Sequence, residues 1–458
     1  MVSFTSNKRY CWPYMANKII LHTLFYLLVG LLLFLTPVSA KDYDYINVTN
    51  PFLKKTPVAV TDFKAFNGHP EEVNIGKTAL GILKEALDFT GYLKTMNPVS
   101  FLSNPAESGI GLGEINFRDW TGIGADLLIT GGISEEKGKI TFKLRLFDTF
   151  NTKLLIGKIY TGTESQVRKM IHLFCSEISY QLTGKWGIFN SKIAFVSTVN
   201  GKKEIFSCDF DGQNIKQITR HKSISLSPSW SSDGEWLAYV SYAKGKPDLF
   251  IKNLKENRGS IINYKGMNIS PGWMPGQLKL VAALSFSGDQ EIYLLNIKGE
   301  IIKRITKSWG IDVSPDFSPD GKKIVFSSKR AGTPQIYIQD LESDRPIRVT
   351  FKGKNNTSPA WSPDGKKIAY VGIEDNNIDI FVMPIDSGIR VQLTMNAGDN
   401  EDPSWSPDGS MLTFTSTRDG NIPRIFVMNA TGSDPRRLLQ IKGKQTQPSW
   451  SSSKGTKD

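Results

Sequence analysis

The sequence predicts a two-domain fold: a small N-terminal α/β domain, followed by a C-terminal six-bladed β-propeller of WD40-like repeats closed by a shared blade. Three observations support this prediction. At 458 residues, the chain is longer than one ordinary domain. A short phrase around an aromatic residue recurs in the C-terminal part at spacings of 43 to 45 residues, which is the length of a four-stranded propeller blade. Before that part the phrase is absent, and apolar residues follow helical and strand periodicities instead.

Residues 1–40 have the features of a cleaved signal peptide. An apolar run from Ile19 to Leu35 follows basic residues and precedes Val38-Ser39-Ala40, a small-x-small cleavage site. A retained membrane anchor is the alternative, because ~17 apolar residues are just long enough to span a bilayer. Met15 is a second candidate start, since it would begin a signal peptide of more typical length. We therefore expect an exported chain beginning at Lys41, with domains at 41–185 and 186–458.

The segment that follows alternates strand and helix patterns, which indicates a small α/β domain. Apolar residues lie on one face of the two predicted helices, and β-rich runs form the predicted strands. The helices are Ile75 to Phe89 and Glu164 to Leu182, and the strands are Val58 to Phe63, Asp126 to Thr130 and Thr141 to Phe147. The linker to the second domain is 183–190.

The recurring phrase reads Pro-x-aromatic-Ser-Pro-Asp-Gly in its full form. Its copies are Pro228 to Gly234, Pro271 to Gly276, Pro315 to Gly321, Pro359 to Gly365, Pro403 to Gly409 and Pro448 to Ser451. In Ser318-Pro319-Asp320-Gly321, serine, proline and glycine occupy the positions that a type I turn with a following left-handed residue favours. Each complete phrase therefore predicts a hairpin between the first and second strands of a blade, whereas the copy at Pro271 to Gly276 is decayed and the one at Pro448 to Ser451 is truncated.

The two ends of the repeat array predict how the ring closes. The first unit has three later strands, beginning at Ile193, Glu204 and Ile215, but no phrase before them. The phrase at Pro448 to Ser451 supplies the missing strand. Sharing one blade between both ends removes free sheet edges, which would otherwise invite aggregation.

Charge and cysteine content restrict the function classes. The net charge of +12 falls to +9 when Lys8, Arg9 and Lys18 leave with the signal peptide. This excess is spread along the chain, so either general solubility or an acidic partner surface explains it better than nucleic acid does. Cys175 and Cys208 remain, and both a disulfide and two separate buried thiols are open alternatives.

The sequence contains no recognisable catalytic or cofactor motif. The histidines His69, His172 and His221 do not have metal-ligand spacing, and we expect His172 to be structural. The aspartates of the phrase, such as Asp320 and Asp364, are expected to form turns rather than a catalytic ring. We therefore expect no enzyme, metal or cofactor. The alternative is a propeller enzyme such as a polysaccharide lyase, which would need His, Arg or carboxylate groups converging on one channel mouth.

The whole predicted mature chain resembles the TolB family of the Tol-Pal system. The stretches that carry the resemblance, beside the repeated phrase, are Asp88 to Tyr92, Asp119 to Asp126, Leu144 to Asp148, Arg168 to His172, Leu182 to Phe189 and Ile193 to Ser197. The chain departs from the family pattern at Met274 to Gln277, where the turn lacks its Asp-Gly pair. That departure puts the geometry of one blade in question.

The resemblance implies a periplasmic protein-binding scaffold, monomeric outside its complex. It implies binding of the lipoprotein Pal through the propeller and of TolA through the N-terminal region, in support of outer-membrane integrity and constriction at division. It also implies exploitation during bacteriocin import.

Candidate contact residues follow from where variable loops should lie. Loops joining the fourth strand of one blade to the first strand of the next lie opposite the Asp-Gly turns, and loops on a rigid scaffold concentrate binding residues. The candidates for Pal are Arg220, His221, Met267, Asn268, Trp309, Asn355, Asn356, Asp399, Asn400, Lys444 and Gln445. For TolA they are Asp42, Tyr43, Tyr45 and Ile46, in an arm from Lys41 to Asn50 that has aromatic residues but no local core. Packing of this arm on the small domain is the alternative. Trp309 is the strongest candidate anchor, and packing of its loop or plugging of the channel is the alternative.

Overall fold

The computed structural model describes residues 45–47, 54–103, 107, 109–199 and 201–453. The predicted signal peptide, Met15 and the arm residues Asp42 and Tyr43 lie outside these residues. Within the described ranges, no helix is long and apolar enough to cross a membrane.

The N-terminal domain contains one six-stranded mixed sheet. Its strands are β1 (Thr56–Val60), β2 (Lys64–Ala65), β3 (Leu93–Thr95), β4 (Leu127–Glu136), β5 (Lys139–Asp148) and β6 (Lys153–Gly162). The order is β3-β1-β4-β5-β6, with β2 also pairing with β4. β1 and β2 run parallel to β4, whereas β5 and β6 continue the sheet antiparallel. The predicted α/β domain is confirmed, although β6 was not predicted.

In the stretches 54–103 and 109–199, the α-helices that accompany this sheet are α1 (Pro70–Phe89), α2 (Phe117–Gly122) and α3 (Val167–Thr183). α1 begins five residues before the predicted start, with Pro70 in its first turn, a position that has no hydrogen-bonded N–H to lose. The Glu72 carboxylate accepts hydrogen bonds from the backbone N–H groups of Asn67 (3.0 Å) and Glu135 (2.8 Å), which fixes the helix start to β4. α3 ends at Gly184, whose φ of 72° closes the helix in the left-handed conformation.

The described C-terminal residues form six four-stranded blades, as predicted. In order from inner to outer strand, blade 1 is β10 (Ser225–Trp230), β11 (Trp236–Ser241), β12 (Asp248–Asn253) and β13 (Gly259–Ile262). Blade 2 is β14 (Asn268–Trp273), β15 (Lys279–Leu284), β16 (Glu291–Asn296) and β17 (Ile301–Arg304). Blade 3 is β18 (Asp312–Phe317), β19 (Lys323–Ser328), β20 (Gln335–Asp340) and β21 (Ile347–Arg348).

The remaining blades complete the ring. Blade 4 is β22 (Asn355–Trp361), β23 (Lys367–Glu374), β24 (Asn377–Pro384) and β25 (Val391–Gln392). Blade 5 is β26 (Asn400–Trp405), β27 (Met411–Ser416), β28 (Arg424–Asn429) and β29 (Arg436–Arg437). Blade 6 is β30 (Gln445–Trp450), β7 (Lys192–Val199), β8 (Lys202–Asp209) and β9 (Lys216–Gln217). Because β30 pairs with β7, blade 6 is the predicted shared blade. Blade 2 forms normally despite its altered turn.

The repeated phrase has the structural roles that the sequence indicates. In the turn after β18, Asp320 accepts hydrogen bonds from the Ser318 hydroxyl (2.6 Å) and the Lys322 N–H (3.1 Å), and Gly321 has a φ of 69°. The tryptophans pack between blades. For example, the Trp405 indole N–H donates to the Ala360 carbonyl of the preceding blade at 3.1 Å. The carboxylates therefore form turns, and the aromatic rings connect neighbouring blades.

The small domain packs against one end of the propeller at blades 5 and 6. Phe210, in the loop after β8, contacts the rings of Phe89 (5.3 Å between centroids) and His172 (5.1 Å) edge-on. Arg436 donates to the Phe89 carbonyl at 2.7 Å and lies over the Phe89 ring at 4.4 Å. The Lys185 ammonium donates to the Asp408 carbonyl at 2.7 Å. All these propeller contacts lie at the end that carries the Asp-Gly turns, and His172 is buried among them.

Candidate protein-binding face

The propeller has two chemically different ends. Antiparallel order places the loops between first and second strands, and those between third and fourth, at one end, which we call the turn face. The loops between second and third strands, and those between blades, lie at the other end, which we call the loop face. The inter-blade segments of the loop face are 218–224, 263–267, 305–311, 349–354, 393–399 and 438–444. Because the small domain covers part of the turn face, the loop face is the end it leaves open.

Four of the predicted Pal contacts are buried. Asn268, Asn400 and Gln445 each begin the inner strand of a blade, and Asn356 is the second residue of its inner strand. All four have no exposed surface. Their side-chain amides donate into the preceding inter-blade loop, as from Asn356 to the Lys352 carbonyl (2.9 Å) and from Gln445 to the Lys442 carbonyl (3.0 Å). These amides support the shape of the loops, and they present no surface to a partner.

The other predicted contacts reach the surface to different degrees. Arg220, Trp309, Asp399 and Lys444 are exposed, whereas His221, Met267 and Asn355 are half-buried. His221 is held by the Ser241 hydroxyl (2.6 Å from its Nδ1) and lies 5.0 Å from the Phe250 ring. Burial lowers the pKa of His221 from its ordinary value. The exposed members of the predicted set are therefore the ones able to meet a partner.

A recurring threonine fixes the start of four inter-blade loops. The Thr306 hydroxyl accepts from the Ile292 N–H (2.9 Å) and donates to the buried Glu291 carboxylate (2.5 Å). Thr219, Thr350 and Thr394 make the same pair of bonds in blades 6, 3 and 4. A buried hydroxyl that accepts one hydrogen bond and donates another holds a loop in one conformation. The sequence shows this threonine at the repeat spacing, since Thr306, Thr350 and Thr394 are 44 residues apart, and that spacing is a signal of its recurring role.

Trp309 projects from one of these fixed loops. Its side chain is 94% exposed, so it neither plugs the channel nor packs against its loop. The residues on both sides are tethered: the Ser308 N–H donates to Glu291 (2.7 Å) and the Gly310 N–H to Asp289 (3.1 Å). A rigidly held, exposed tryptophan is typical of an interface anchor, because binding buries its large surface at little cost in ordering.

Apolar side chains outside the predicted set are also exposed on the loop face: Phe351 and Met395 most of all, and Ile224, Phe286 and Ile422 at 39–41%. Phe351 is 75% exposed and Met395 is 63% exposed, and each directly follows one of the recurring threonines. Arg348 lies 5.1 Å from the centre of the Phe351 ring and supports it. A single apolar residue in a loop gives no sequence signal of exposure, which is why both were missed.

The central channel contains two carboxylates. It comprises adjoining cavities of about 220 and 340 Å³ that share residues of the inner strands. Burial raises the pKa of Asp316 to about 6, although the Trp361 N–H donates to its carboxylate at 2.7 Å. Burial also raises the pKa of Asp402, which accepts from the Thr415 hydroxyl at 3.1 Å. Among the described residues, no group of three or more His, Cys, Asp or Glu side chains lies close enough to hold a metal ion.

The described part of the predicted TolA arm is short. Tyr45 is half-exposed. The Ile46 N–H donates to the Leu182 carbonyl at 2.7 Å, near the end of α3. Binding of TolA by the arm stays a prediction.

Cys175 and Cys208 are both free and buried, so the alternative of two separate thiols is the one observed.

Comparison with known proteins matches both domains to one family. The family model described as the TolB beta propeller domain matches residues 180–454, and that of the TolB amino-terminal domain matches 44–155. A Tol-Pal system protein TolB from Desulfosudis oleivorans is 50% identical over 62% of this chain and 65% of its own length. A TolB homolog from Chlorobium chlorochromatii is 41% identical over 60% of this chain and 61% of its own. The matches thus span less than two thirds of these curated relatives.

One solved structure matches nearly the whole fold. The crystal structure of TolB from Acinetobacter baumannii superposes with a TM-score of 0.76 at 27% identity, covering 87% of this chain and 97% of that one. Both domains and their order are therefore shared with a solved relative.

Proposed function

This chain belongs to the TolB family, and from that premise we propose that it is a periplasmic scaffold of the Tol-Pal system that binds the lipoprotein Pal at its loop face. The proposal extends to TolA, bound through the arm at Lys41 to Asn50. Through these partners the chain would support outer-membrane integrity and constriction at division, and bacteriocins would exploit it for import. No catalysis forms part of this role.

The observation that carries the proposal is the exposure of Trp309 on a tethered loop at the open end of the propeller. A soluble scaffold has no internal reason to hold a tryptophan almost fully in water, because burying its surface would be favourable. The loop face also has an excess of cations, which would attract an acidic partner surface. The fixed loops would let a partner bind without ordering them first.

Calorimetric titration of the soluble domain of Pal into the secreted chain tests the proposal. We expect the double variant Trp309→Ala, Asp399→Lys to bind Pal at least about tenfold more weakly, since interface anchors contribute about 2 kcal/mol or more. The matched control is Lys322→Glu with Lys366→Glu, on exposed turn-face residues, which should bind normally. Equal losses in both variants with intact thermal stability would show that the face is assigned wrongly, and no binding by wild type would refute the proposal.

A separate titration tests the arm. Deletion of residues 41–50 should weaken binding of the C-terminal domain of TolA and leave Pal binding unchanged, because the arm and the loop face are different surfaces. Unchanged TolA binding by the deletion variant would refute the arm's role.

A further inference from the structure

We propose that the loop face is divided into two halves that recognise different parts of one folded partner. An apolar half would hold an apolar patch of the partner, and a cationic half would attract a cluster of carboxylates beside that patch. The inference rests on the proposed function, because it describes the chemistry that Pal must present. It goes further in assigning separate tasks to opposite sides of the ring.

The apolar half is built from the loops that follow blades 2, 3 and 4. Trp309, Phe351 and Met395 occupy these three consecutive loops and are 94%, 75% and 63% exposed. Neighbouring blades place them side by side along one arc of the ring. Clustered exposed apolar side chains on a soluble protein mark an interaction site. This arc is therefore the part of the face where burial of apolar surface would stabilise a complex.

The cationic half is built from the loops that follow blades 5, 6 and 1. These loops, with those between second and third strands in blades 6 and 1, contain no Asp or Glu. They contain the cations Arg220, Lys222, Lys244, Lys246, Lys265, Lys442 and Lys444. The apolar half, by contrast, mixes its cations with Asp289, Asp375 and Asp399. Lys246 pairs with the Asp248 carboxylate. The other cations of these loops leave an excess of positive charge on the side of the face away from the apolar arc.

One folded protein fits this division better than other occupants. Face-to-face contact between two copies would set the cations against cations or against apolar side chains, and neither arrangement supplies carboxylates. An anionic bilayer offers the same chemistry at every point and gives no reason to separate the two halves. A partner with an apolar patch on one side and carboxylates on the other matches both, and it can dock in only one rotation about the propeller axis.

The two halves should affect different steps of binding. Apolar anchors are buried in the formed complex, so their loss mainly speeds dissociation. Exposed cations act over longer distances, so their loss mainly slows association and weakens its dependence on salt. The division therefore predicts a kinetic separation that a uniform face would not produce.

Surface plasmon resonance of the secreted chain with the soluble domain of Pal, across a salt series, tests the division. For Trp309→Ala with Phe351→Ala and Met395→Ala, we expect dissociation at least about 100-fold faster with an unchanged salt dependence. For Arg220→Glu with Lys265→Glu and Lys444→Glu, we expect association about tenfold slower and nearly independent of salt. The charge-matched control is Lys298→Glu with Lys322→Glu and Lys366→Glu on the turn face, which should leave both rates near wild type.

The outcomes separate the two proposals. Absence of wild-type Pal binding would overturn the proposed function and this inference with it. Wild-type binding in which both triple variants change the same rate constant would overturn the division alone. Vesicle flotation tests a membrane as the occupant. If wild type floats equally well with anionic phosphatidylglycerol vesicles and with vesicles that carry Pal, and if both triple variants lose this flotation, the loop face binds the membrane. That result would also overturn the division. Circular dichroism and unfolding midpoints near wild type establish that each variant is folded.

Discussion

Replacing Thr306 by valine removes one hydroxyl while keeping the volume of the side chain. That hydroxyl accepts from the Ile292 N–H at 2.9 Å and donates to the Glu291 carboxylate at 2.5 Å, and all three groups are buried. A buried donor left without a partner costs about 1–3 kcal/mol, and a lost bond to a charged group about 1.5–3 kcal/mol. Glu291 keeps the Ser308 N–H at 2.7 Å, which limits the loss. We expect the free energy of unfolding to fall by about 2–4 kcal/mol.

Urea unfolding and amide hydrogen exchange measure this effect. Exchange should accelerate across 305–311, because the loop that presents Trp309 loses its attachment. Thr306→Ser retains the hydroxyl and should stay within about 1 kcal/mol of wild type. Thr413→Val is a second control, since it removes only one long bond of 3.3 Å far from this loop. A change below about 0.5 kcal/mol for Thr306→Val, or an equal loss for the serine variant, would refute the role assigned to this threonine.

Three further predictions concern the domain interface and the channel. Arg436→Ala should lower the free energy of unfolding by about 2 kcal/mol and expose the junction between the domains to limited proteolysis, whereas Arg345→Ala, at an exposed position on blade 3, should do neither. Burial lowers the pKa of His172 to about 4. The free energy of unfolding of wild type, relative to that of His172→Gln, should therefore fall by up to about 3 kcal/mol as the pH drops from 6.5 towards 4. Parallel pH profiles of the two proteins would contradict this. Asp316 should have the opposite pH dependence, because burial raises its pKa to about 6. Relative to Asp316→Asn, wild type should lose stability as the pH rises from 4 through 6. A difference in free energy of unfolding that does not change with pH would contradict the assignment.

The sequence predicts features that are set by local chemistry. The turn phrase is visible because Ser318, Asp320 and Gly321 satisfy a hairpin within four residues, and it repeats with the blade. The start of α1 was missed because its first turn contains Pro70, Glu71 and Glu72, which have no apolar periodicity. β6 was missed because an edge strand that is exposed on much of its surface, as at Ile159, lacks a clean alternation.

The candidate site could be predicted only in part. Antiparallel strand order gives the face, because the Asp-Gly turns fix one end of every blade. Strand order does not show which side chains on that face are exposed to solvent. Asn356 and Asn400 have polar side chains typical of loop surfaces, yet they are buried because their amides, near the start of an inner strand, donate to carbonyls of the loop before it. Phe351 and Met395 are the reverse case, apolar residues that tertiary structure leaves in water.

The role of the loop face is tested most directly by amide hydrogen exchange of residues 41–458, with and without the soluble domain of Pal. We expect Pal to slow exchange in the inter-blade segments of the loop face, most strongly at 305–311 and 349–354. The turns at 231–235, 318–322, 362–366 and 406–410 should exchange as in the free protein. Protection confined to those turns, with 305–311 unchanged, would contradict the claim that the loop face binds Pal.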